Sequence, residues 1–146
     1  TGVQTCALPI SGFDEATAST FSDKLDFTGT GAIGTLGTSI DTGSILSHSV
    51  GTGIATFDDA AAFATALTID ASTLADVVAY LAANSTINEV FAFAYDDNAN
   101  GANDSTMVYH NYGTGTDSLV LLTDVTGADA LITTNASTGT GDIFIG

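Results

Sequence analysis

The sequence predicts an α+β fold that is mainly β, with short antiparallel sheets and two amphipathic helices packed on one side. Three observations predict it. Residues 89–125 form three runs of alternating or continuous apolar character, separated by Asp, Asn and Gly clusters, as strands joined by tight turns do. Residues 58–84 instead repeat apolar side chains at i, i+3, i+4 and i+7, the helical spacing. Residues 28–56 scatter single Ile and Leu residues among Gly, Thr and Ser, which suits short strands and turns rather than helix.

Taken in order, Leu25 and Phe27 alternate with Lys24 and Asp26 and predict one short strand. Asp58 and Asp59 precede Ala60, Phe63, Ala64 and Leu67, a first helix whose acidic first turn complements the helix dipole. Leu74, Val77, Val78 and Leu81 give a second helix, with Asp70 or Ser72 to cap its start and Asn84 to close its end. A strand over 90–95 places Phe91, Phe93 and Tyr95 on one side and Val90, Ala92 and Ala94 on the other. Residues 106–112 return, and 119–125 form a third strand. A short helical or extended piece at 128–132 then leads through a Thr, Ser, Asn and Gly linker to Asp142, Ile143, Phe144, Ile145 and Gly146.

Three regions are expected. Residues 1–10, TGVQTCALPI, look like the in-frame translation of a sequencing adapter and are set apart as an assembly artefact, with the natural N-terminus expected upstream. They hold the one cysteine, Cys6, and the one proline, Pro9. Residues 11–56 read as a Gly/Thr-rich β lead-in, and 57–146 as the helix pair followed by a C-terminal antiparallel β region with a secretion-like tail.

Charge excludes whole classes of partner. Seventeen Asp and Glu face a single Lys24 and no Arg, for a net charge of −16. Such a chain cannot neutralise phosphates, so neither nucleic acid nor an anionic membrane surface is a partner. The longest nearly uncharged apolar run, 60–69, is too short to span a bilayer, and no membrane insertion is expected. The acidity suits tolerated self-repulsion in salty water, or carboxylates that await divalent cations.

The second reading has a candidate site. Asp96, Asn98 and Asn100 stand on alternate residues before Gly101, and Asp104 follows. The first half of an EF-hand loop uses this logic, with oxygen-bearing side chains at positions 1, 3 and 5, glycine at 6 and a further oxygen near 9. The position of the bidentate Glu is Met107 here, and the flanks read as strand, so the loop is not an EF-hand. Asp, Asn and Gly also favour left-handed backbone, so a calcium loop within a β-hairpin and a plain polar turn both stand.

Other chemistry-bearing patterns carry less. Gly29, Gly31 and Gly34 spell GxGxxG, yet the residues that follow, 35–39, are poor helix formers, and a dinucleotide site needs a helix there. His48 and His110 have no ligand partner at helical or strand spacing. There is no GxSxG elbow, and Asp58 with Asp59 reads as a helix start, so no catalytic residue is assigned. Tyr95, Tyr109 and Tyr112 suit a cross-strand aromatic cluster, or a sugar platform.

The segment SDKLDF, the loop DDNANGAND, the strands STMVYHNY and TGTDSLVLLTDVTG, and the terminal acidic residue with an apolar triplet together resemble a known family region. It is the C-terminal region that follows calcium-binding repeats in bacterial RTX-type and S-layer-like proteins exported by type I secretion. No GGxGxD repeat accompanies it here. The resemblance implies unfolded export through the type I secretion apparatus, an extracellular or cell-surface location, folding on calcium and self-association at the surface. The expected function is a non-catalytic structural and secretion-targeting module. The alternatives are an adhesin or carbohydrate-binding module built on the tyrosine-bearing hairpin, and the tail of a secreted hydrolase.

Overall fold

The computed structural model describes residues 8–14, 23–27, 31–37, 39–113, 115–133 and 142–146. Most of the adapter-like stretch with Cys6, the expected linker over 134–141, Ser22 of SDKLDF and Gly29 lie outside the described residues. In chain order the elements are β1 (Leu8–Ser11), β2 (Leu25–Asp26), β3 (Ala32–Ile33), β4 (Ser47–Gly51), β5 (Ile54–Asp58), α1 (Leu74–Asn84), β6 (Glu89–Tyr95), β7 (Ser105–His110), β8 (Ser118–Thr123), β9 (Leu131–Thr133) and β10 (Asp142–Ile145).

A seven-stranded sheet runs in the order β1-β8-β7-β6-β5-β4, with β3 also paired to the start of β6. A three-stranded antiparallel sheet, β2-β10-β9, lies apart from it. Strand β6 explains the layering. Its bulky side, Phe91, Phe93 and Tyr95, joins Met107, Tyr109 and Leu119 in a core with α1 residues Leu74, Val77, Val78 and Leu81. Its small side, Val90 and Ala92, joins Val108, Val120 and Leu122 against Leu25, Leu131, Ile143 and Ile145 of the small sheet. Because side chains alternate across a strand, one helix covers one face and the small sheet covers the other.

The expected antiparallel sheets with two helices on one side require correction. Among the described residues there is one helix, and the large sheet is mixed: β1 with β8, β3 with β6 and β5 with β6 are parallel pairs. The β5–β6 pair follows from connectivity, since β5, α1 and β6 form a crossover unit and a parallel pair needs such a connection. Strand β5 spans residues 56 and 57, and β3–β5 share the sheet of β6–β8.

The first expected helix is a loop, and Asp58 is the physical reason. Its side chain, in a residue 3% exposed, accepts the N–H groups of Ala60 (3.1 Å), Ala64 (2.7 Å) and Thr65 (2.9 Å). In a helix the last two would go to carbonyls four residues back. Leu67 N–H meets the Phe57 carbonyl at 2.8 Å, so the segment is folded back onto β5 and Phe63 stays exposed. The short polar side chain thus competes successfully with the helical backbone.

The second helix forms as the periodicity requires. Leu74, Val77, Val78 and Leu81 are buried, and Tyr80 and Asn84 with them. Thr73 is the N-cap without a side-chain cap bond, while Asp70 Oδ1 accepts the Ser72 and Thr73 N–H groups one turn earlier. Asn84 does close the other end. Its Nδ2 donates to the carbonyls of Tyr80 (2.9 Å) and Ile40 (3.0 Å), and its Oδ1 accepts Ile40 N–H at 2.6 Å.

Candidate functional site: the Asp96–Asp104 loop

The loop joins β6 to β7, whose register runs from Val90↔His110 to Tyr95↔Ser105, so both ends are fixed by the ladder. Asp104 N–H donates to the Tyr95 carbonyl at 3.1 Å and closes the hairpin. Asp96 N–H donates to the Ile69 carbonyl at 2.8 Å and ties the loop to the segment that leads into α1. Gly101 has φ +88° and Ala99 has φ +57°, so the chain reverses through left-handed geometry where glycine carries the lower cost.

All four predicted oxygen donors come together in this loop. Asp96, only 2% exposed, accepts Asn100 N–H at 3.1 Å through Oδ1 and Gly101 N–H at 2.6 Å through Oδ2. Asn98 Oδ1 also accepts Asn100 N–H (3.1 Å), and Asn100 Oδ1 accepts Ala102 N–H (2.8 Å). From across the loop, Asp104 Oδ1 accepts Asp97 N–H at 3.0 Å, and Asp104 Oδ2 accepts the Asn98 side-chain N–H. Each side chain is therefore held by the backbone it encircles.

The donor set suits a hard cation. Two carboxylates and two amide oxygens are the ligand types calcium takes, and an oxygen that accepts one N–H keeps a second lone pair. The hydrogen bonds hold most of those oxygens in place before any ion binds, which lowers the ordering cost of binding. Two features limit the set. Met107 is buried on the α1 side of β7, so the EF-hand's last position offers no oxygen. The Asn98–Asp104 contact would have to open for both oxygens to face one ion. Among the described residues no three His, Cys, Asp or Glu side chains form a metal-holding group, so the amide oxygens of Asn98 and Asn100 are essential to any such site.

Two acidic neighbours escaped the alternate-residue pattern. Asp97 Oδ2 accepts the Ser105 hydroxyl at 2.7 Å and braces the start of β7. Asp70 acts on the same end of the molecule: the Tyr95 phenol is pushed above its usual range by burial first, then by Asp70, Asp97 and Asp96. Asp97 was visible as part of a DD pair, but nothing in the sequence ties Asp70 to this loop. The Ile69–Asp96 backbone bond brings them close.

The remaining candidates are dispersed. His48 bonds Tyr80 Oη at 2.7 Å on the α1 side, with Leu36 O 3.3 Å from Nε2, whereas His110 faces the small sheet, so they share no ligand site. Tyr95 stands opposite Ser105 at the loop end, Tyr109 opposite Phe91 near the other, and both are buried; Tyr112 is 40% exposed. Within GxGxxG, Gly34 serves packing: its N–H donates to the Val90 carbonyl (2.9 Å), and a Cβ there would overlap the Phe91 ring. No helix among the described residues is long and apolar enough to cross a membrane. The chain matches no family model, no curated protein and no solved structure.

Proposed function

We propose that this chain is a non-catalytic structural and export module of an extracellular bacterial surface protein, and that its β6–β7 hairpin binds calcium through Asp96, Asn98, Asn100 and Asp104. The observation that carries the reading is the loop itself, in which four hard-oxygen side chains are oriented by backbone hydrogen bonds around Gly101. Net charge supports it, because a chain at −16 gains from any bound cation. So does the resemblance to type I secreted RTX and S-layer-like proteins, which supplies the partners: the type I apparatus during export, and further copies of the chain at the surface.

The acidic and apolar residues of β10 fit export before folding. Ile143, Phe144 and Ile145 are buried in the folded molecule, so an apparatus that reads them must meet the chain unfolded. Calcium outside the cell then favours the folded state by mass action, by about 2.7 kcal/mol at roughly a hundredfold excess over Kd.

Thermal melts of the whole chain in calcium and in EDTA, at matched ionic strength, test the metal. Calcium at about 1–10 mM, above the weak extracellular affinity range, raises the melting temperature of the wild type and not of Asp96→Asn/Asp104→Asn. An identical melt in calcium and EDTA overturns the calcium reading. Co-expression with a type I exporter tests the export: the chain accumulates outside the cell, and removal of residues 142–146 abolishes this. Complete retention of the intact chain overturns the export reading.

A further inference from the structure

Strand β7 carries His110 on the face that meets the small sheet, where it stands beside Val90 of β6 in the ladder. The residue is 1% exposed, and its Nε2 is enclosed without any hydrogen-bond partner. The Phe27 ring lies over the imidazole, with centroids 4.9 Å apart and planes 36° apart, and Tyr112 stands edge-on at 5.9 Å. Phe27 directly follows β2, a strand of two residues that hangs on β10 through Asp142↔Asp26 and Ile143↔Leu25. The roof over a buried, unsatisfied ring nitrogen is thus held to the small sheet by a strand of two residues and the Lys24–Asp142 ion pair.

An orphaned neutral nitrogen is costly, and an imidazolium is far more so, because it carries a charge and needs acceptors for two N–H groups. The neighbours offer little. The Asp117 carboxylate acts on the ring, but it is turned to the Tyr109 hydroxyl (2.8 Å) and Tyr112 N–H (3.0 Å) and makes no hydrogen bond to His110 Nε2. On β6, Glu89 turns its carboxylate to Thr86 N–H (2.7 Å) and Thr35. In the covering segment, Lys24 is bound to Asp142 at 2.9 Å, with Asp23 and Asp26 on either side of it. The Tyr112 phenol is the other titratable group at the ring.

We propose that His110 is an acid-operated latch: protonation of its imidazole releases residues 23–27, and with them the outer strand of the small sheet, from the face of the large sheet. Burial holds the imidazole below its ordinary pKa of 6.5, against the weaker opposite pull of Asp117. Above that value the ring is neutral whether the roof is on or off, and closure is at full strength. As pH falls below it, the opened form takes up a proton that the closed form refuses, so closure weakens. The latch is independent of the hairpin loop, which lies at the opposite end of β7.

Amide hydrogen exchange on the whole chain at fixed calcium tests it. The protection factors of residues 24–27 fall between pH 7.5 and 5.0, by up to about thirtyfold if His110 stays neutral in the closed form, while those of α1 hold. In His110→Leu, which cannot titrate and matches the apolar surroundings, that fall disappears. Equal protection at both pH values in the wild type, or an unchanged fall in the variant, overturns the proposal. Should the variant not fold, ring-proton titration of wild-type His110 decides: a midpoint below 6.5 supports the latch, and one at or above it overturns it.

Discussion

Asp58 shows how far one carboxylate can redirect a chain. By capturing three backbone N–H groups it converts a segment of helical periodicity into a loop. The same bonds, those from Ala64 and Thr65 foremost, hold its carboxyl down at about 2 from 3.8. A carboxylate whose folded pKa is depressed stabilises the fold above its unfolded value and loses that contribution as pH falls through the folded one. Asp58→Asn therefore melts at a lower temperature than the wild type near pH 6, and the gap closes as pH drops from about 4 to about 2. Melting curves across that range check it. Gly34 makes the complementary point about space. Its Cβ would enter the Phe91 ring, so Gly34→Val costs about 1–3 kcal/mol in urea unfolding, as overpacking does.

At the scale of elements, α1 and the hairpin loop are held in different ways. The helix has no side-chain cap at Thr73 and depends on its buried stripe, in which Leu81 is fully enclosed. Leu81→Ala is accordingly expected to cost about 2–5 kcal/mol in denaturant unfolding. The loop depends on polar bonds. Asp96→Ala frees the Gly101 N–H, leaves Asn100 N–H to Asn98 Oδ1 alone, and costs about 1.5–3 kcal/mol even in EDTA, as loss of hydrogen bonds to a charged group does. That separates the structural part of Asp96 from its part in calcium binding, which appears as the additional difference between calcium and EDTA.

At the scale of the whole molecule, the large sheet is covered twice, by α1 on one face and by the small sheet on the other. Strand β10 is central in the small sheet, between β2 and β9, and contributes Ile143 and Ile145 to the second core. Deletion of residues 142–146 uncovers Val90, Val108 and Leu122 while α1 keeps its own face. The expected result is a helical signal retained near neutral pH, together with strong binding of an apolar dye and a lower melting temperature. The net charge acts everywhere at once. Raising monovalent salt from about 0.05 to about 0.5 M shortens the screening length from over 10 Å to below 5 Å and should raise the melting temperature of all variants alike.

Local pattern determined a good deal. The alternation over 90–95 decided which side of β6 is bulky, the spacing of Leu74, Val77, Val78 and Leu81 gave α1, and the residues Asp96, Asn98, Asn100 and Asp104 specified a single tight loop. Each is a property of neighbours within one turn or one pleat, and such information is written in consecutive residues. What only the tertiary structure decided involves partners distant in sequence. The parallel pairing of β5 with β6, the second layer over Val90 and Val108, the approach of Asp70 to Tyr95, and the enclosure of His110 beneath Phe27 all depend on which segments meet. The helix expected after Asp58 failed for a local reason instead. Its apolar period was real, but the nearby carboxylate and the Phe57 carbonyl offered its N–H groups better partners than a further helical turn.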